Sequence, residues 1–122
     1  ETNLDTKLAS PMLAESFKRQ ILEAGYTTTD VEADADYRIN IVATTSSKGE
    51  SGSYKQTQLS GVVSVKDKSN AEVYSKRLEN IVGTHFDFSA AGLEAYKDAA
   101  KKVEFTIARE VIDGVVKGKS GY

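Results

Sequence analysis

Residues 36–45 read DYRINIVATT, and the fold turns on whether this stretch is a strand. Tyr37, Ile39, Ile41 and Ala43 alternate with Arg38, Asn40, Val42 and Thr44. Successive side chains of a strand point to opposite sides, so a period of two puts the first set on one face and the second on the other. One apolar face and one polar face predict a sheet covered on a single side.

The stretch that follows, SSKGESGSYKQ (46–56), is rich in glycine and serine and reads as a flexible hairpin loop. It leads into QLSGVVSVK (58–66), where Leu59, Gly61, Val63 and Val65 share a face opposite Gln58, Ser60, Val62, Ser64 and Lys66. DKSN (67–70) is a turn cluster, so AEVYSKRLENIV (71–82) returns as the third strand of a meander. Val73 beside Tyr74 breaks the alternation there, which predicts a bulge or an edge position.

Beyond the strands the period changes. With Ser89 as N-cap, Leu93, Tyr96, Ala100, Val103, Ile107, Val111 and Val115 recur at three- and four-residue spacing, and Phe105, Ile112 and Val116 widen the stripe. A helix over 89–117 would be about 42 Å long, whereas a nine-residue strand covers about 30 Å. The helix is expected to overhang the sheet, and its apolar end must be covered by the first helix, by a missing N-terminal strand or by a partner.

Upstream, Ser10 reads as an N-cap and Pro11 suits the first helical position, where its missing N–H costs nothing. Leu13, Phe17, Ile21 and Leu22 form the buried stripe, and Gly25 closes the helix. Leu4 and Leu8 extend the stripe toward the N-terminus. Tyr26 to Ala35 reads as a polar connection. The order is therefore α-β-β-β-α. It predicts an α+β fold: an antiparallel sheet of three strands, or four, with two helices packed on one face, leaving no hollow where chemistry could happen. Residues 1–122 are expected to form one domain.

Composition narrows the function classes. At 39% hydrophobic and 28% charged, the chain has enough apolar surface to offset its entropy. A net charge of −2 lacks the basic excess of a nucleic-acid binder. No run approaches the roughly 20 apolar residues that span a bilayer. The absence of Cys excludes disulfides, thiolate metal sites and thiol nucleophiles.

Candidate sites are few. Phosphate-cradling loops end at a helix N-terminus, where free N–H groups face the anion; SSKGESGSYKQ leads into a strand and matches neither G-x-x-x-x-G-K-[ST] nor G-x-G-x-x-G. GVVKGKS (114–120) has one residue too few between its glycines and ends a helix, whose C-terminus repels anions. Asp30, Glu32, Asp34 and Asp36 alternate, but a calcium loop begun at Asp30 would need Gly and Glu where Ala35 and Ile41 stand. A solvated acidic connection is expected, with weak cation binding as the alternative. His85, Asp87 and Ser89 carry the residue types of a triad, yet neighbours along one segment seldom converge. Lys97, Lys101 and Lys102 are interleaved with Glu94, Asp98 and Glu104, as on a solvated helix face. No catalytic residue, metal ligand or cofactor is expected, and no binding residue is assigned.

Four stretches together carry a resemblance over nearly the whole chain: LAESFKRQILEAGY, ADYRINIVATTSS, LSGVVSVKDKSNAEVYSKRLENIVG and SAAGLEAYKDAAKKVEFTIAREVI. They resemble the YajG-like family of bacterial envelope lipoproteins and, more loosely, the accessory lipoprotein domains related to the TolB N-terminal and CsgG folds. The resemblance implies a non-catalytic periplasmic module tethered to the outer membrane, serving assembly or regulation through contacts with an envelope protein or a second copy of itself. The family's lipidated cysteine and the strand preceding this region are not in these residues, so the chain is expected to be a fragment of a longer envelope protein whose lipid anchor lies elsewhere. Nucleic acid is not an expected partner. The α-β-β-β-α order also resembles the double-stranded RNA-binding domain, but FDFSAAGLEAYKD, at the start of the last helix, lacks that family's lysines. A small-ligand, glycan or cation-binding domain is the third reading.

Overall fold

The structure, a computed structural model, describes residues 1–8, 11–29, 33 and 35–116, with no account of the Val116 side chain. Strands β1 (Thr2–Asn3) and β2 (Thr6–Lys7) form a small hairpin. Helix α1 (Met12–Glu23) follows, then strands β3 (Tyr37–Ser51), β4 (Tyr54–Asp67) and β5 (Glu72–His85). Helix α2 (Phe88–Lys102) continues through a π-helical segment, Val103–Ile107, into α3 (Ala108–Val111) and a second π-helical segment, Ile112–Val116. The antiparallel sheet has the order β3-β4-β5, and the helices cover one of its faces, the predicted α+β architecture.

The alternation in DYRINIVATT translates directly into burial. Ala43, Leu59, Val63, Val65 and Leu78 face the helices and are buried, whereas Val42, Thr44 and Ser60 point to solvent. Both expectations for the third strand are met: β5 is an edge, and its register shifts where Val65 pairs with Tyr74 and Lys66 with Glu72, leaving Val73 as the extra residue. A second bulge holds Glu79 and Asn80 opposite Ser60, with Asn80 in a left-handed conformation at φ +57°.

The long helix buries Ala91, Ala95, Ala99, Val103, Ile107, Val111 and Val115, one residue in four. In a regular α-helix each step of four overshoots a full turn by about 40°. Six steps would carry the stripe well off the core. A π-turn closes hydrogen bonds to the fifth residue and holds more residues per turn; the two π-helical segments thus take back the drift and keep the apolar row aimed inward. The row also changes size along its length. Ala91 and Ala95 lie against Gly83 of β5, where an added Cβ would sit 1.9 Å from the Ala91 carbonyl oxygen. The later valines and isoleucine fill the wider space beside α1. Val111 and Val115 are 1% and 7% exposed, so the overhang is covered, with the first helix packed beside it.

Several local expectations are corrected. Leu4 and Leu8 do not extend α1; Leu4 and Asp5 form the β1–β2 turn, at φ +51° and +67°. Ser10 lies outside the described residues, and Pro11 is the N-cap without a side-chain bond. The orphan N–H groups of Leu13 and Ala14 instead donate to the Glu1 carboxylate, at 2.8 and 3.0 Å. Gly25 does close the helix, at φ +94°, with the Gly25 and Tyr26 N–H groups donating to Leu22 and Ile21. Leu22, Leu93 and Phe105, placed on buried stripes by spacing, are 49%, 40% and 63% exposed. The long helix is capped by Asp87, two residues before Ser89; its carboxylate accepts the Ala90 N–H at 2.7 Å.

Candidate functional site

The glycine-serine stretch is a hairpin, as read, but most of it is strand. β3 runs to Ser51 and β4 starts at Tyr54, so the loop shrinks to Gly52 and Ser53. Gly52 at φ +62° supplies the left-handed residue such a turn requires. Lys48 is the extra residue of a register shift between Ser47 and Gly49. No helix follows, and no anion cradle is built.

His85, Asp87 and Ser89 do not converge. His85 ends β5, exposed, with its ring edge-on to Phe86 at 5.4 Å. Asp87 is occupied as the helix cap, and the Ser89 carbonyl accepts the Asn3 side-chain amide at 2.9 Å. Of the alternating acids, Asp30, Glu32 and Asp34 lie outside the described residues, and Asp36 is ion-paired with Lys68 at 3.2 Å. Among the described residues no three His, Cys, Asp or Glu side chains gather as metal ligands. Gly114 to Val116 are helical, and the rest of GVVKGKS lies outside the described residues. Lys97 pairs with Glu94 at 3.2 Å on a solvated face, as expected.

The helices and sheet do not meet along their whole length, and the hollow left is an open one. A broad cleft of about 1340 Å³ opens between α1 and β3. Phe17 and Ile21 line its helical wall, and Tyr37, Ile39, Ile41 and Val65 its sheet wall. Lys18, Asp36, Arg38 and Lys68 stand among the other lining residues. The cleft exists because α1 packs chiefly against the long helix and stands off from the first half of β3, leaving Ile39 40% exposed. His85 is not among its lining residues.

Buried polar groups serve the fold. Tyr96 is fully buried and its hydroxyl faces the carbonyls of Thr2 at 2.6 Å and Ala43 at 3.1 Å. Burial, with the nearby Glu1 charge, pushes the phenol up to about 12, against a smaller opposing effect of the Thr2 bond. The Asn3 carboxamide lies over Gly92, accepts the Thr45 hydroxyl at 2.6 Å and so fastens the N-terminal hairpin onto the long helix. Tyr74 donates to Glu110 at 3.0 Å, and burial followed by that carboxylate raises its phenol as well.

The outer face of the sheet carries a feature that motif reading missed. Tyr54 and Phe86 stack there with centroids 5.3 Å apart and planes at 19°, yet are 49% and 64% exposed. Hairpin register brings them together: Lys55 pairs with His85, so their outward neighbours meet. Only exact strand lengths and bulge positions could have revealed this, since the two lie far apart in sequence. Lys55 itself reaches the Phe88 ring, at 5.4 Å.

The chain matches no protein-family profile and no curated protein. Among solved structures, it is similar to a protein of Caulobacter crescentus CB15 described as a "putative lipoprotein", with a TM-score of 0.55 and 16% identity over 95% of this chain and 89% of that one. At this identity the likeness is one of fold.

Proposed function

We propose that this chain is a non-catalytic module of a bacterial envelope lipoprotein, in the periplasm at the outer membrane, acting through protein contacts in the assembly or regulation of an envelope machine. The observation that supports this most is the fold it shares across 95% of its length with the Caulobacter "putative lipoprotein". The resemblance of its sequence to YajG-like lipoproteins, and more loosely to TolB N-terminal and CsgG-like domains, points the same way. The contact surface is the outer edge of β5, a 14-residue strand at the end of the sheet order. Such an edge offers backbone groups to an added strand. Fractionation of cells expressing the full gene product, labelled with a palmitate analogue, tests the setting: recovery in the envelope with label is expected, and an unlabelled cytoplasmic product would overturn it. A photo-crosslinking residue at Glu79 should give a discrete envelope-protein adduct that one at Leu93 on the helix does not; equal, diffuse labelling from both would remove β5 as the surface.

The cleft favours a second reading, a module that binds a small amphipathic ligand. Phe17, Ile21, Ile39 and Ile41 line it together with Lys18 and Arg38, so apolar and charged groups face one space. Ile39→Trp would block such a ligand while leaving a β5 contact intact.

A further inference from the structure

We propose that the outer face of the sheet, from the Tyr54–Phe86 pair to Ser60, binds a neutral glycan chain. This goes beyond the envelope reading and does not depend on it.

The strand register lays out the surface row by row. Beside the aromatic pair lies a row of Gly49, Gln56 and Thr84; next come Ser46, Gln58 and Val82; then Thr44 and Ser60. Six residues of strand span about 20 Å. None of the paired residues in these rows is charged. Gln56 and Gln58 each offer two amide donors and a carbonyl acceptor, and Ser46, Ser60 and Thr84 each offer a hydroxyl. Among the described residues none of these five side chains hydrogen-bonds to another protein group, whereas the buried Thr45, Thr57 and Asn3 side chains are all engaged. The surface thus combines an exposed aromatic platform with unspent, uncharged donors and acceptors.

That combination selects its partner by chemistry. A sugar ring has an apolar C–H face, suited to an aromatic ring, and a rim of hydroxyls that both donate and accept. A nucleic acid or another polyanion would need lysines and arginines in the rows. An apolar helix would need an aliphatic groove. An added strand would use an edge, not a face. A neutral polysaccharide matches the aromatic pair and the uncharged polar groups of the paired rows, with Lys48 and Glu79 only in the flanking bulges.

Titration of the ¹⁵N-labelled chain with chitohexaose and cellohexaose, two neutral β-1,4-linked probes, tests this, with a sulfated heparin hexasaccharide as contrast. The side-chain amides of Gln56 and Gln58 and the backbone around Tyr54 and Thr84 should shift with at least one neutral probe. Tyr54→Ala and Phe86→Ala should each weaken binding roughly tenfold, the scale of one aromatic contact. Phe105→Ala, removing an equally exposed ring on the long helix, should leave binding unchanged. If Phe86→Ala disturbs the fold, Tyr54→Ser at the solvent-exposed partner ring decides alone. The proposal is overturned by no shift with either neutral probe at millimolar concentration, by shifts gathered in the α1–β3 cleft, by stronger binding of the sulfated probe, or by full affinity without Tyr54.

Discussion

The two halves of the long helix bury the same row of positions by opposite means. From Ala91 to Ala99 the row is built of alanine, and the backbone comes so close to β5 that Gly83 is the only residue type that fits. From Val103 to Val115 the row is branched aliphatic, and α1 lies alongside. The first half is held by close approach and fixed hydrogen bonds around Asn3, Thr57 and Tyr96. The second is held by side-chain volume and by the π-turns that keep its row in line. Residue size along one stripe therefore records the distance from helix to sheet.

Substitutions that reverse the two strategies should be the most damaging. Gly83→Val drives a branched side chain into the Ala91 carbonyl and the Ala95 nitrogen; a loss of about 4 kcal/mol or failure to fold is expected in urea denaturation. In the second half truncation is the threat. Ile107→Ala empties a fully buried site and should cost about 3 kcal/mol. If Gly83→Val folds normally, the close-approach account of the first half fails.

Tyr96→Phe probes the hydrogen bonds of the first half without changing its packing. It should cost about 1 kcal/mol near neutral pH, the net worth of a hydroxyl's bonds. Its pH dependence has a definite sign. The folded phenol is raised to about 12, so the unfolded chain loses its proton first as pH rises from about 10. Below that window the effect is fully in the protein's favour, and stability falls between the two values. Thermal melts should therefore show an alkaline decline that Tyr96→Phe reduces and does not abolish, because Tyr74 is raised in the same direction. The smallest effect belongs to the hairpin that braces the first half. Asp5→Gly relieves a left-handed residue at φ +67° and should stabilise by about 0.5 kcal/mol, read as a small rise in melting temperature.

Much of this was legible in the residues, unevenly. Alternation in DYRINIVATT and QLSGVVSVK predicted the buried face correctly because a period of two depends only on backbone geometry. The bulge at Val73 was visible because it breaks that period. The cap was misplaced from Asp87 to Ser89, since both residue types accept the same N–H and spacing alone does not choose between them. Leu93 and Phe105 were misassigned because each stands two residues beyond a member of the buried row, Ala91 and Val103, which puts it on nearly the opposite side of the helix. The four-residue repeat from Ala91 to Val115 was itself a sign of the π-turns. The Tyr54–Phe86 platform had no sequence signal, because it depends on register summed over a hairpin and several bulges.

The sequence by itself determined the order of elements, the face each strand buries and the helix stripe that meets it, because these follow from periodicities of the local backbone. Only the tertiary structure decided how near the helix lies to the sheet, that α1 stands away from β3 and leaves a cleft, that Glu1 caps α1, and that two distant aromatics share one exposed face. Each of these depends on distances between segments far apart in the chain, and no local pattern of residues encodes such a distance.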